Sequence, residues 1–304
     1  MTALTQRRAM RRPARGRWTG RILLLPALLA VAVIGIYPLV YTLAVSLSRS
    51  SLGVPFQSFV GTDNLTSVLT RGDTIPSMVR SLGFAIPSAL LAVVAGLAVA
   101  LALHHARGRG RIVRAILLLP LMTPPVMAGV IGKLMLAPTG GTVNNILRAT
   151  GLATEPVSFL GTTPSAMLSL VVTDAWQWTP LCMLLIYAAL QTLPAEVYEA
   201  AQVDGASPLR TFRSVTLPLL LPSLVTVLLL KLIISFKVFD LVFIMTSGGP
   251  GLDTSVASYT IYRSMLEEFD LGQAGAQTII FLIVVTLFVL PISRIRQRLQ
   301  GGTA

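Results

Sequence analysis

The chain has 304 residues, of which 54% are hydrophobic and only 12% are charged, and its formal net charge is +12. Soluble globular domains carry about 25% charged residues, so this chain has too little polar surface to cover a water-facing globule. Disorder is excluded as well, because disordered chains are poor in apolar residues. Together with a mean hydropathy of +0.76, the composition predicts an integral membrane protein.

The positive charge is gathered beside the apolar runs. Seven arginines lie within residues 1–21, four within 104–114 and three within 294–304. A strongly basic soluble chain would suggest a nucleic-acid partner, but this placement is typical of juxtamembrane segments that contact anionic lipid. We therefore expect membrane lipid, and no nucleic acid, among the partners. The single Cys182 excludes a disulfide framework within one chain, and we expect it to be a packing residue.

Six apolar runs are long enough to cross a bilayer, which requires roughly 20 mostly apolar residues. In chain order they cover residues 22–47, 81–103, 115–136, 166–190, 217–246 and 272–292. The first run follows the arginine-rich tail as a signal peptide would, but its length and the lack of a clear small-x-small cleavage site favour a membrane anchor. Because backbone groups in lipid must bond internally, the predicted fold class is all-α, a polytopic membrane protein of six transmembrane helices.

The distribution of basic residues predicts the orientation. Lysine and arginine concentrate on the cytoplasmic side of membrane proteins. If both termini lie inside, 16 of the 24 lysines and arginines lie in inward-facing segments, namely 1–21, 104–114, 191–216 and 293–304. We therefore predict an N-in/C-in protein of the plasma membrane, the bacterial inner membrane. Its basic cytoplasmic tail covers 1–21, its membrane domain 22–293 and its C-terminal tail 294–304.

Two features of the runs indicate close packing and a pathway. Ser88, Ala92, Gly96 and Ala100 recur every four residues in the second run, and such a stripe of small residues lets another helix approach closely. The third, fourth and fifth runs contain prolines, which predict broken or kinked helices, at positions 120, 124, 125, 180, 218 and 222. Broken membrane helices are tolerated where they line a cavity or pack on protein. The prolines therefore favour a transport pathway over a simple anchor.

The segment 193–218, between the fourth and fifth runs, predicts two short helices joined at a bend. Gly205 suits a left-handed stop after the first helix, and Ser207 suits the cap of the second. Leu209 and Phe212, three residues apart, give the second helix one apolar side. We expect both helices on the cytoplasmic face, where they expose small and apolar side chains.

The same segment resembles a known family. Glu199-Ala200-Ala201, followed by Gly205 and then by Val215-Thr216-Leu217-Pro218, resembles the EAA loop of ABC importer permeases, with Val215 where the family usually has isoleucine. The likeness extends over nearly the whole chain, through the stretches 59–64, 114–120, 236–240, 246–251 and 269–272. The subgroup that these stretches resemble takes up sugars and glycerol phosphate through two related permease chains.

The resemblance implies a type I ABC importer permease fold and a role as the membrane subunit of a binding-protein-dependent importer. In that family the loop docks into a cleft of a separate ATPase, and closure of the ATPase dimer moves the membrane helices. The residues expected at this joint are Glu199, Ala200, Ala201, Asp204, Gly205, Leu209, Phe212, Leu217 and Pro218.

The resemblance also implies partners. They are a second homologous permease subunit, a dimer of ATPase subunits that uses ATP and Mg, and an extracytoplasmic solute-binding protein. The sequence contains no Gly-x-x-x-x-Gly-Lys-Ser/Thr phosphate loop. We therefore expect the chain itself to be non-catalytic, and to bind no cofactor and no metal.

Charged residues inside the runs are candidates for the pathway, because a charge at a helix centre costs about 2.5–3.5 kcal/mol on insertion scales. Asp174 lies in mid-run beside Trp176 and Gln177, and aromatic faces with hydrogen-bonding groups suit a sugar ring. An interfacial anchor role for the tryptophans stays open. Lys237 and Asp240 are further candidates, although they could instead pair with each other, three residues apart on one helix.

Three other classes of protein stay open at this point. A secondary transporter would use an intramembrane acid such as Asp174 for ion coupling, but no convincing internal repeat is visible. A membrane enzyme would need an acid–base, serine or metal set, and the two histidines, His104 and His105, lie at a loop edge without a nucleophile. A structural scaffold would not need the spacing of the loop. Lys231 has no assigned partner, and an acidic headgroup, an anionic substrate and the partner permease are all open to it.

Overall fold

The computed structural model describes residues 16–70, 72–105 and 115–301. The described chain is a bundle of helices with one short antiparallel hairpin, which confirms the all-α class. Most of the arginines that flank the first three apolar runs of the sequence lie outside the described residues. The helices are α1 (Gly16–Val31), α2 (Tyr37–Ser46), α3 (Asp63–Thr70), α4 (Thr74–His105), α5 (Leu119–Met122), α6 (Pro125–Met135), α7 (Thr142–Ala149), α8 (Thr163–Gln191), α9 (Ala195–Val203), α10 (Pro208–Thr211), α11 (Leu217–Phe236), α12 (Asp240–Met245), α13 (Ala257–Tyr262) and α14 (Leu271–Gly301). The hairpin pairs β1 (Ser48–Arg49) with β2 (Ser58–Phe59).

Five helical stretches in the described part of the chain are long and apolar enough to cross a membrane, and α6 is a shorter apolar helix. The five are Leu24–Ser46, Thr74–His104, Thr163–Gln191, Pro208–Phe236 and Leu271–Arg298. The predicted third run, 115–136, is interrupted between α5 and α6. Thr123 and Pro124 are extended there, because each precedes a proline and a helical conformation is disfavoured for such residues. The interruption predicted from the prolines is therefore confirmed in this run.

The predicted fifth run, 217–246, differs from the structure at both ends. It begins earlier, because α10, a π-helical segment (Phe212–Thr216) and α11 form one continuous helix, Pro208–Phe236. It ends at Phe236, where the chain turns before α12. The π segment widens the turn in front of Pro218, so the proline ring is accommodated and the helix continues. The second helix of the predicted loop is thus the first part of a membrane helix.

The most extensive helix contact joins α4 to α8. The predicted small-residue stripe lies in it, since Ser88, Ala92 and Ala100 are fully buried. At Gly96 the helices approach so closely that an added Cβ would lie 2.7 Å from the Cβ of Cys182 on α8. The stripe is therefore a packing surface, as predicted, and Cys182 is a buried packing residue.

Helix α11 lies at the centre of the bundle, in contact with α4, α8 and α14. Its buried residues include Leu220, Val227 and Leu232, which pack into two apolar clusters. A helix in contact with three others is positioned to transmit a displacement to all of them.

Candidate functional site

A buried ion pair joins the three central helices. Lys231 on α11 is 1% exposed, and its Nζ lies 2.6 Å from Oδ2 of Asp174 on α8. The same ammonium donates to Ser235 Oγ at 2.6 Å and to Ser88 Oγ at 3.2 Å, and Ser88 on α4 donates to the Asp174 carboxylate. An ammonium has three donors, so Lys231 uses all of them within the chain. The two charges, each costly alone at this depth, compensate each other.

This cluster supplies the partner that the sequence left open for Lys231. The sequence also left open that Lys237 pairs with Asp240 instead of facing the pathway. This pair is not among the ion pairs between described residues. Lys237 follows the last residue of α11 and Asp240 is the first residue of α12, so a break in the helix separates them. The helical spacing that would bring the two side chains together is therefore not realised.

A cavity of about 300 Å³ lies beside the ion pair. Its size is at the lower end of the range for ligand sites, about 300–1,000 Å³. It is lined by α8, the start of α6, the end of α11, the break that follows and the start of α12, through Pro125, Asp174, Gln177, Trp178, Ile233, Ile234, Lys237, Val238, Phe239, Asp240 and Leu241. The structure thus brings together four of the five predicted pathway residues, namely Asp174, Gln177, Lys237 and Asp240.

The fifth predicted pathway residue, Trp176, lies elsewhere. Two residues advance an α-helix by about 200°, so Trp176 is on the opposite side of α8 from Asp174. It is 44% exposed and lines a separate, apolar cavity of about 610 Å³. Trp178 lines the first cavity in its place, with its ring centroid 5.9 Å from Lys231 Nζ. The spacing of four residues from Asp174 could have identified Trp178 from the sequence.

Gln177 connects the cavity to the interruption between α5 and α6. Its Nε2 donates to the carbonyl oxygen of Thr123 at 2.9 Å. Its Oε1 is buried without a hydrogen-bond partner. Since buried polar atoms are normally paired, this unpaired acceptor is an exception among the buried side chains around the cavity.

The segment 193–218 has the bend that the sequence predicts. Gly205 has φ +67°, the left-handed conformation that ends α9. The N–H of Ala206 donates to Ala201 O at 2.9 Å and that of Gly205 to Gln202 O at 3.0 Å, the two bonds of a Schellman motif. Ser207 then caps α10, as predicted. Local backbone chemistry therefore sets the angle between the two helices.

One side of this segment faces outward and the other is fixed to the bundle. Tyr198 donates to Thr216 Oγ1 at 3.3 Å, and Val203 is 88% exposed. Among the predicted coupling residues, the exposed ones are Glu199, Ala200, Asp204, Gly205, Leu209 and Pro218. Ala201 is buried, and Phe212 and Leu217 are half-buried. The structure therefore turns Ala201, Phe212 and Leu217 toward the chain itself, unlike the other six.

The exposed segment and the cavity are joined by one helix. The continuous helix Pro208–Phe236 begins at the bend, carries Lys231 and ends immediately before Lys237 in the cavity wall. At 1.5 Å per residue, Pro208 and Lys231 are roughly 35 Å apart along its axis. One continuous helix therefore connects the bend to the ion pair and the cavity.

The sequence matches a known family over residues 92–302, which is described as the binding-protein-dependent transport system inner membrane component. The chain belongs to this family. The matched region includes the segment 193–218, the buried ion pair and the cavity. The protein is therefore a multi-pass membrane subunit of an ABC importer. The resemblance to ABC importer permeases seen in the sequence is confirmed. Membership also decides against a secondary transporter, a membrane enzyme and a scaffold.

The similarity to curated relatives extends over almost the whole chain. The protein is 36% identical to the trehalose/maltose transport system permease protein MalF of Thermococcus litoralis, over 91% of this chain and 94% of that protein. It is 33% identical to the sulfoquinovosyl glycerol transport system permease protein SmoG of Agrobacterium fabrum, over 85% and 84% respectively. A bacterial ABC transporter involved in the import of the acidic polysaccharide alginate has the same fold, with a TM-score of 0.81 at 22% identity over 93% of this chain and 96% of that chain.

Proposed function

We propose that this permease subunit forms part of the translocation pathway for a carbohydrate, a related polyol or a glycerol phosphate, and that a separate ATPase drives it through the segment 193–218. The observation that carries the proposal is the unbroken helix Pro208–Phe236, which begins in the exposed bend and ends at the cavity wall. Relatives named for trehalose and maltose and for sulfoquinovosyl glycerol support the substrate class.

In the proposed topology both termini and the segment 193–218 are cytoplasmic, and the interrupted run 115–136, which contains α5 and α6, makes the sixth crossing. Basic residues support this orientation at two places in the described chain. Arg210 and Arg213 lie in the segment itself, and Arg294, Arg296 and Arg298 lie near the end of α14. The coupling surface and the C-terminal end of α14 then share the side on which ATP is available.

Five exposed residues of the segment have distinct chemical roles in the proposed joint. Glu199 supplies a polar or ionic contact to the ATPase, and Ala200 allows close approach. Gly205 holds the bend, while the exposed Val203 and Leu209 supply apolar area at its two sides. ATP and Mg are bound by the ATPase dimer, and this chain binds no cofactor of its own.

Three further partners complete the proposed importer. A second, homologous permease shares the pathway, an extracytoplasmic solute-binding protein delivers the cargo, and membrane lipid surrounds the bundle. The exposed apolar residues of the helical stretch Leu24–Ser46, among them Leu28, Ile34 and Val40, fit a lipid-facing or permease-facing role.

Uptake by the complete importer in proteoliposomes tests the proposal. We expect ATP-dependent accumulation of a neutral sugar such as maltose or trehalose. Glu199→Lys is expected to abolish uptake while the chain still inserts in the membrane. Glu155→Lys, the same change at an exposed residue in the loop between α7 and α8, serves as the matched control and is expected to retain uptake. Uptake without ATP, or equal uptake by both variants, would contradict the proposal.

A further inference from the structure

A second cavity, of about 590 Å³, lies along the half of α11 that begins at the segment 193–218. It is formed by α8, α11 and α14, and its lining includes Leu185, Ser223, Thr226, Leu230, Ile233 and Arg296. Ser223 lies about 8 Å along the helix from Pro218, the last residue of the segment. The cavity is therefore next to the segment, whereas the cavity beside the ion pair is at the far end of α11.

The two cavities meet at one side chain. Ile233 lines both of them and is 43% exposed. Thr226, Leu230, Ile233 and Lys237 are spaced three or four residues apart, so they form one stripe along α11. The opposite side of the helix packs on α4, through Leu232. The two cavities are therefore consecutive parts of one surface of α11, roughly 16 Å long from Thr226 to Lys237.

This surface is polar at both ends and apolar in the middle. Lys237 lies at one end, in the cavity beside the ion pair, and Ser223 and Thr226 lie at the other. Leu230 and Ile233 separate them, and Ile233 is stiff because its side chain is β-branched. A water-soluble cargo on this surface has to pass an apolar band at Ile233. Hydrophobic constrictions of this kind can close a membrane pathway.

The second cavity has polar groups that remain accessible. Ser223 Oγ makes no hydrogen bond with another described residue and is not among the enclosed polar atoms. Arg296 is half-buried and forms no ion pair within the described part of the chain. Of its nitrogens only Nε is enclosed without a partner, so the terminal nitrogens stay accessible.

These groups favour water over lipid in the second cavity. None of the described residues that line it is acidic, so the Arg296 guanidinium has no counter-charge there. Charged residues in membrane segments face a protein partner or a water-filled cavity. A lipid tail in this place would leave the guanidinium and the Ser223 hydroxyl without hydrogen-bond partners, which is costly.

We infer that the second cavity is a water-filled exit compartment for the cargo, and that Ile233 is the constriction between it and the cavity beside the ion pair. The Ser223 hydroxyl and the Arg296 guanidinium both donate hydrogen bonds, so the compartment suits a small, hydroxyl-rich solute. The inference rests on the proposed function and deepens it, because it gives the cargo a route along α11 to the side of the membrane on which the segment 193–218 lies.

Thiol labelling tests whether the second cavity holds water. Ser223→Cys replaces one atom and is made in a Cys182→Ala background, so each copy of this chain carries one thiol. The control is Leu287→Cys on α14, at a residue that is 65% exposed and lines neither cavity. In inside-out vesicles that contain the complete importer, a charged methanethiosulfonate should modify Ser223→Cys at least about tenfold faster than Leu287→Cys, because only a thiolate reacts and a thiol in lipid stays protonated.

Side-chain size at position 233 tests the constriction. Ile233→Trp fills the junction between the cavities and is expected to abolish uptake of maltose and trehalose by the reconstituted importer, while basal ATP hydrolysis continues. Leu221→Trp is the matched control, the same increase in size at an exposed residue of α11 that lines neither cavity, and should retain uptake. Size-exclusion chromatography verifies assembly. If Ile233→Trp does not assemble, Ile233→Phe is measured in its place with the same expected loss.

The outcomes separate the inference from the proposed function. A wild-type importer that accumulates none of the sugars in the presence of ATP contradicts the proposed function. If the wild type transports but Ser223→Cys reacts as slowly as Leu287→Cys, a lipid tail or another chain fills the second cavity and the exit compartment is overturned. Equal uptake by Ile233→Trp and Leu221→Trp overturns the constriction.

Discussion

The buried junction, formed by Lys231, Asp174, Ser88 and Ser235, differs from the exposed segment 193–218 in where its polar side chains find partners. At the junction, the ammonium, the carboxylate and two serines satisfy one another inside the bundle. In the segment, Glu199 and neighbouring apolar side chains face outward. The chain satisfies the polar groups of the first region by itself, whereas the second region presents an outward-facing surface that we propose an ATPase covers. The helix Pro208–Phe236 links them.

The largest expected effect comes from breaking the junction. Lys231→Met leaves the Asp174 carboxylate buried without its counter-charge, and removal of one partner of such a pair costs about 3–5 kcal/mol. The double variant Asp174→Asn, Lys231→Met removes both charges and should recover most of this stability. Thermal unfolding of the purified complex in detergent measures both. A single variant as stable as the wild type, or a double variant less stable than the single, would contradict this account of the junction.

A smaller loss is expected where α4 meets α8. Gly96→Ala places a Cβ 2.7 Å from Cys182 Cβ and 2.8 Å from the backbone nitrogen of Met183, so the helices must separate. Overpacking of this kind costs about 1–3 kcal/mol. Gly83→Ala, the same change in the same helix, meets no atom within 4 Å and serves as the control. Equal melting temperatures of the two variants would show that α4 and α8 are not packed as described.

In the exposed segment the expected effect falls on coupling rather than on stability. Gly205→Val requires φ +67° of a β-branched residue, at a local cost of about 1–3 kcal/mol, and should abolish uptake while the chain still inserts. Asn tolerates the left-handed region better than other residues with a side chain, so Gly205→Asn should retain part of the activity. Uptake by the reconstituted importer is the readout. Normal transport in Gly205→Val would defeat the assignment of this segment.

The smallest effect is expected at Trp176. It lies on the far side of α8 from the cavity, so Trp176→Phe should leave the KM for maltose or trehalose uptake within about twofold of the wild type, a difference of only ~0.4 kcal/mol. Trp178→Phe, made in the cavity wall, should raise this KM several-fold. The reverse order of the two effects would place the pathway on the other side of α8.

The sequence predicts those breaks and ends of helices that depend only on neighbouring residues in the chain. Consecutive prolines predicted the interruption at Thr123 and Pro124, and Gly205 predicted the helix stop. Where the prolines predict broken or kinked helices, the chain is continuous at Pro180, Pro218 and Pro222, and at Pro218 the π-helical segment Phe212–Thr216 accommodates the ring. That compensation depends on backbone hydrogen bonding, which a residue pattern does not reveal.

Long-range pairing was beyond such rules. Asp174 and Lys231 belong to different helices, and no spacing rule relates residues so far apart in the chain. Spacing instead suggested Lys237 with Asp240, which the end of α11 separates. The pathway face of α8 was only partly predicted, because Trp176 was chosen by its proximity in sequence to Asp174 when the helical period favours Trp178.

The central claim is that the outward face of segment 193–218 is cytoplasmic and is covered by an ATPase. Two cysteine variants test it directly, in a Cys182→Ala background that leaves each chain with one thiol. Val203→Cys lies at the end of α9, and Leu152→Cys lies in the loop before α8 at a residue 77% exposed. A membrane-impermeant maleimide should label Leu152→Cys in bacterial spheroplasts. It should label Val203→Cys only in inside-out vesicles, and there only when the ATPase subunit is absent. Labelling of Val203→Cys in spheroplasts, or equal labelling in vesicles with and without the ATPase, would contradict the claim.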